Sequence, residues 1–214
     1  MKRWQSHDAE AFTRVELLVV LGVIALMAAL VLPGIARAKQ KAKRIQCTNN
    51  LKQLGLGFRT RAIEGGAESF TQVSTNREGA PGPLSSVEAF RYFQVMSNRL
   101  ASPKLLVCPA DVRVPATNFG PGFSNTNLSY FVSLDADETY PQMFLYGDRN
   151  LTNGLPIQQG ILLLIPNRPM GWTHELHDRQ GNIALADGSV QGWANSRLSP
   201  SVSVLGVTNR LAMP

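Results

Sequence analysis

The side chains able to do chemistry in this chain fall into a few small groups. Cys47 and Cys108 are its only thiols. An even thiol count in an exported domain favours a disulfide, and the alternative is two buried free cysteines. Closing that loop of about 60 residues would stabilise the fold by roughly 4 kcal/mol in the chain-entropy model. Asp135, Asp137 and Glu138 make an oxygen-rich cluster of the type calcium prefers, although their spacing is not that of an EF-hand loop. His177 stands ten residues before Asp187-Gly188. Asp-Gly alone accounts for a tight turn, with His177 packing or hydrogen-bonding across it. His174-Glu175-Leu176-His177 lacks the i, i+4 histidine pair of a zinc-hydrolase helix, and no serine elbow, phosphate-binding loop or dinucleotide fingerprint occurs. The chain reads as no enzyme.

Glu16 is the remaining candidate, and it is notable for where it stands. From Leu17 to Leu32 the sequence carries no charge, and Gly22 is its one weak helix former. A hydrocarbon core needs roughly 20 apolar residues, so a span must reach back over Phe12 to Val15 and take Arg14 and Glu16 with it. An ionisable group at that depth is expensive and marks a function by default. An isolated carboxylate among lipid tails would sooner protonate than stay charged; the bland alternative is a Glu with its head in interfacial water. A cleaved secretory signal, with Ala36-Arg37-Ala38 as its cleavage site, and an ordinary signal anchor are the competing readings of the apolar run.

Residues 12 to 34 resemble the N-terminus of type IV pilins and type II secretion pseudopilins. That pattern is a short basic leader, a Gly, then Phe-Thr-Leu-(Ile/Val)-Glu-Leu and an apolar run. Here it reads Ala11, Phe12, Thr13, Arg14, Val15, Glu16, Leu17, with Pro33 at the position where pseudopilins usually carry a helix-kinking proline. Ala11 replaces the usual Gly, and Arg14 an apolar residue. The resemblance implies cleavage between Ala11 and Phe12 by a membrane prepilin peptidase, which methylates the new amine. It also implies that Glu16 meets the N-terminal amine of a neighbouring subunit during assembly. A second stretch, with His177, Gly181, Asn182, Ala186, Asp187, Gly188 and Ser189, resembles the H…GN…ADGSV signature of prepilin-type proteins in planctomycete- and verrucomicrobial-like bacteria. The segment from Leu128 to Asn150 looks like the verrucomicrobial branch of that set. Major pseudopilins hold calcium in their C-terminal loops, which is the second reason to single out Asp135, Asp137 and Glu138; no other cofactor is expected.

The charge balance fits a membrane exit rather than a nucleic-acid surface. The 214 residues carry a net charge of +6, and Arg37, Lys39, Lys41, Lys43 and Arg44 supply five of that excess. A basic stripe there suits anionic headgroups, and no nucleic-acid partner is expected. The richer basic flank normally stays cytoplasmic, which taken alone would put the large domain inside. The leader pattern and the cysteine pair argue the opposite: a single inner-membrane pass with the C-terminal domain in the periplasm.

These candidates have to be positioned by an α+β, pilin-like fold, with a long N-terminal helix packed on a small, mainly antiparallel sheet. Cys47, Leu51, Leu54 and Phe58 fall at i, i+4, i+7 and i+11, one stripe of a helix. The helix should run from about Thr13 to about Ile63, about 75 Å, and kink or loosen at Pro33. The organisation expected is leader 1–11, membrane or filament-core helix 12–35, periplasmic helix 36–64 and globular domain 65–214. Residues 65 to 84 read as loop, and Ser85 with Glu88 as a capping box for a helix to about Leu100. Strands are expected over Leu105–Val107, Leu128–Leu134, Gln142–Tyr146, Ile161–Ile165, Ile183–Ala186 and Ser189–Trp193. Asp187-Gly188 joins the last two as a hairpin. The tail from Asn195 has no clear pattern. The function expected is a structural subunit of a type II secretion pseudopilus or type IV pilus-like filament. Its partners would be prepilin peptidase, other copies or related pseudopilins, and inner-membrane lipid. The alternative is a monomeric membrane-anchored binding module sorted by a prepilin-type leader.

Overall fold

A computed structural model describes residues 13–65, 88–136, 140–165, 168–198 and 209–214. Ala11, Phe12, Ser85, Asp137 and Glu138 lie outside the described residues. The fold is α+β, a long N-terminal helix and a six-stranded antiparallel sheet, consistent with a pilin-like architecture. Helix α1 spans Arg14–Gly65 and continues through Pro33. The chain divides into two compact units between Lys41 and Ala42, so the second half of α1 belongs to the globular unit.

In the first unit α1 is apolar and unburied. Its most apolar stretch is wholly unburied, and by length and composition this helix is able to cross a membrane. Leu17, Leu21, Ile24, Leu30 and Leu32 are all exposed. At the start of the helix the Thr13 backbone N–H and hydroxyl each donate to Glu16 Oε2 at 2.8 Å, and the Glu16 N–H donates to Thr13 Oγ1 at 3.3 Å. This is a capping box, which satisfies donors that a helix start leaves without partners.

In the second unit the predicted stripe is the face that packs. Cys47, Leu51 and Leu54 are fully buried and Phe58 nearly so. They join Tyr130, Val132, Leu145, Tyr146, Ala184 and Ala186 in one core cluster. Ala184 and Ala186 are small, which lets the helix approach the sheet closely. A short helix, α2 (Ala89–Val95), adds Phe93 to that core. Its N-cap is Glu88, which makes no side-chain capping bond. The helix expected to Leu100 ends early and passes into a 3-10 turn at Ser97–Arg99.

The sheet strands are β1 (Tyr130–Ser133), β2 (Phe144–Asp148), β4 (Ile161–Leu164), β6 (Gln180–Leu185), β7 (Val190–Ala194) and β8 (Asn209–Ala212), in the order β4-β8-β1-β2-β6-β7. β3 (Leu151–Thr152) pairs with β5 (Gly171–Trp172) separately. Both sheet faces are covered. Side-chain alternation sends Tyr130 and Val132 to the helix side and Phe131 to a second cluster with Ile183, Leu185, Trp172 and Trp193. Leu145 and Tyr146 share the helix side because the β2–β6 register shifts between Phe144 and Tyr146.

Three expectations change. Leu105–Val107 is not a strand; Pro103–Leu106 is a 3-10 turn, started by Pro103 and capped by the Ser102 side chain. The β6–β7 connection is a three-residue loop rather than a two-residue one. The Leu185 carbonyl accepts from the Gly188 N–H at 2.8 Å, the Leu185 N–H donates to the Ser189 carbonyl at 2.9 Å, and Gly188 takes φ +81°. The tail supplies β8, an interior strand of the sheet between β4 and β1. Its buried Asn209 accepts from the Ser133 hydroxyl at 2.6 Å and donates to the Phe144 carbonyl at 3.2 Å.

Candidate metal centre

Four separate parts of the second unit bring Cys47, Cys108, Asp148 and His177 together. One ligand atom of each lies within 4.8 Å of every other. Cys47 Sγ is 3.1 Å from Asp148 Oδ1 and 3.4 Å from the Tyr130 hydroxyl. Cys108 Sγ is 3.2 Å from His177 Nε2, which in turn is 3.6 Å from Asp148 Oδ2. Both cysteines and the Asp148 side chain are fully buried, and the His177 side chain is 2% exposed.

Each donor has its own local cause. Cys47 begins the buried stripe of α1. Cys108 follows the 3-10 turn, where the Asp111 N–H donates to the Cys108 carbonyl at 2.9 Å and the Ala110 N–H to the Cys108 sulfur at 3.5 Å. Asp148 ends β2. Gly147 before it allows close approach to β6, since a Cβ there would lie 2.8 Å from the Asn182 carbonyl oxygen. His177 sits on the turn between β5 and β6, and His177, Asp178 and Arg179 all take left-handed backbone angles, φ 50°, 48° and 58°. Each such residue costs about 1–2 kcal/mol, so the surroundings must hold the turn in place.

Two neighbouring side chains hold it. Asn150 Nδ2 faces the carbonyls of Thr173 and Leu176 at 3.0 Å and Gln180 at 3.2 Å, and the Asn150 carbonyl accepts from the Thr173 N–H at 2.8 Å. Arg149 grips Asp111 with two bonds, 2.8 and 3.0 Å, and reaches Glu175 at 2.5 Å. One guanidinium thus ties the Cys108 turn to the His177 turn. Asn182 fixes the carboxylate through its backbone N–H and its amide, 2.7 and 3.0 Å from Asp148 Oδ2.

The cluster pushes its groups apart in acidity. Burial, and then the bond to Cys108, push the Cys47 thiol well up. The Cys47 bond, with His177 beyond it, pulls the Cys108 thiol down against its burial. Burial pushes Asp148 up to about 7. Burial alone would lower His177; the Cys108 bond and the Asp148 charge outweigh it and raise it. Two sulfurs, an imidazole nitrogen and a carboxylate oxygen form a donor set suited to a borderline-soft divalent cation. The Cys108–His177 pair also resembles an activated nucleophile, with both thiols fully buried.

The expected site residues distribute as follows. Cys47 and Cys108 meet, as free thiols rather than a disulfide. His177 does not bond across the Asp187-Gly188 turn but faces Cys108 and Asp148. Asp187 accepts from the Ser189 N–H at 2.7 Å, and its carbonyl accepts from Arg59 at 2.9 Å. Asp135, considered for calcium, is engaged by Arg210 through the backbone N–H and the guanidinium, 2.5 to 3.0 Å. Asp148, Asn150 and Asn182 were not singled out for this chemistry; a buried strand-end acid beside a Gly was the available signal for the first. No family model matches the chain, and neither a curated protein nor a solved structure matches it.

Proposed function

We propose that the chain is a structural, non-enzymatic subunit of a type II secretion pseudopilus or type IV pilus-like filament. Prepilin peptidase cleaves it after Ala11 and methylates Phe12. The helix then anchors it in the inner membrane with its globular unit in the periplasm, and copies or related pseudopilins assemble through that helix. The observation that carries the reading is the N-terminal part of α1, apolar and wholly unburied, with an acid in its first turn. Apolar surface of that extent needs lipid or other helices around it. Glu16 is tolerated at such depth when a neighbour's amine pairs with it.

N-terminal sequencing of the membrane-extracted chain tests the processing, and photo-cross-linking from Val20 in living cells tests the assembly. A methylated Phe12 start with cross-links between copies or to related subunits is the expected result. An intact Met1 start, or cross-links to lipid alone, overturns it; the second result favours a solitary anchored binding module.

A further inference from the structure

We propose that Cys47, Cys108, Asp148 and His177 bind one zinc-class divalent ion, held tetrahedrally by two thiolates, one carboxylate oxygen and one imidazole nitrogen. The proposal is independent of filament assembly. Zn–S bonds of about 2.3 Å and Zn–N or Zn–O bonds of about 2.0–2.1 Å make a tetrahedron with edges of roughly 3.3–3.8 Å. Cys47 Sγ to Asp148 Oδ1 at 3.1 Å and Cys108 Sγ to His177 Nε2 at 3.2 Å fall close to those edges, and one ligand atom of each residue lies within 4.8 Å of every other.

The donor chemistry narrows the ion. Calcium and magnesium take oxygen ligands in larger numbers, whereas thiolate with imidazole suits zinc and its neighbours. All four positions come from the protein and all four side chains are buried. A closed set of that kind makes a structural site rather than one with an open position for substrate. The surrounding bonds are those expected around metal ligands: the Ala110 N–H on the Cys108 sulfur, and Asn182 on the Asp148 carboxylate. Binding forms two Zn–S bonds, one Zn–N and one Zn–O bond. The thiol protons, and any proton on the Asp148 carboxyl or His177 Nε2, leave to solvent, and no atom changes oxidation state. The ion would fasten α1, the Cys108 turn, β2 and the left-handed His177 turn at a single point.

The test uses the full chain in detergent, reduced, stripped by a chelator and titrated with cobalt(II), then zinc. One equivalent of cobalt should give the visible bands of a tetrahedral ion with a thiolate charge-transfer band, and zinc should abolish both. Zinc should also protect both thiols from alkylation. Cys108→Ser should lose much of the charge-transfer intensity, and Asn182→Ala should weaken binding by about 10–100-fold. Because the cobalt spectrum and the alkylation are read on the unmodified chain, a variant that fails to fold leaves the test intact. Absence of a thiolate–cobalt band with thiols alkylated equally with and without zinc overturns the proposal. So does a Cys47–Cys108 disulfide in the isolated chain that, once reduced, takes up no cobalt.

Discussion

Asn182 and Asp148 meet twice on one atom: the Asn182 backbone N–H and side-chain amide both reach Asp148 Oδ2, at 2.7 and 3.0 Å. Oδ1 is left for the Cys47 sulfur. The amide is itself oriented, since Asn182 Oδ1 accepts from the Thr48 hydroxyl on α1 at 3.2 Å. Helix, strand and acid are therefore linked through one residue, Asn182, next to Gly181.

Asn182→Ala removes one bond to a fully buried acid and leaves the Thr48 hydroxyl with only the Arg44 carbonyl, at 3.2 Å. Bonds to charged groups contribute about 1.5–3 kcal/mol, so metal-free unfolding in denaturant should show a loss of about 2 kcal/mol. Asn182→Gly, which also lacks the amide, should lose at least as much. A change below about 0.5 kcal/mol, the size of an ordinary surface substitution, would show that the amide does not hold Asp148.

Asp111 gives the fold an acid-sensitive joint. Its burial works to raise its pKa, but the Arg149 and Ser129 bonds outweigh that and hold it below the ordinary 3.8. A depressed carboxylate contributes stability above its unfolded pKa and loses it as pH falls through the folded one. Stability of the wild-type chain should therefore drop as pH falls below about 4. Asp111→Asn should be less stable by about 2 kcal/mol at neutral pH and show a flatter acid limb. The check is a set of denaturant midpoints from pH 7 down to pH 3; parallel curves for the two chains would contradict it.

Gly188 is required at its turn because φ is +81°; a Cβ would also meet the Arg59 guanidinium that bonds the Asp187 carbonyl, the far end of a flexible side chain that can shift aside. Left-handed backbone costs an L-residue about 1–2 kcal/mol. Gly188→Ala should lower stability by at least that much. Gly188→Asn should cost less, because Asn visits this region more readily. Equal melting of the Ala variant and the wild type would place the turn's strain elsewhere.

The parts legible in the sequence are those written locally. The Cys47–Leu51–Leu54–Phe58 stripe announces the buried face of α1 because a helix repeats every 3.6 residues, and Asp187-Gly188 announces its turn because few residues tolerate positive φ. Only the loop length was off by one, since Ala186 joins the turn. β8 was invisible because Asn209-Arg210-Leu211-Ala212 carries a buried polar residue whose partners, Ser133 and Phe144, are long-range. The metal-ligand candidates were half legible. Two thiols suggest a meeting, but nothing local tells that an acid at 148 and a histidine 29 positions later arrive at the same point. His177 pointed toward Asp187 in the sequence; three successive left-handed residues turn it toward Cys108 instead.

Glu16 holds two roles in one side chain, and a single substitution separates them. In the structure it closes a capping box with Thr13; in the proposed filament its charge meets a neighbour's amine. Gln serves as well as Glu in a capping box but carries no charge. If Glu16 matters only as a cap, Glu16→Gln should assemble normally, while Glu16→Ala loses the cap bond. If the charge sets the assembly register, both variants should fail alike, with the chain still inserted in the membrane and its globular unit folded. We expect the second outcome, read as loss of cross-links from Val20 between copies at unchanged membrane levels. Normal cross-linking of Glu16→Gln would reduce Glu16 to a helix cap and leave the apolar surface alone to drive assembly.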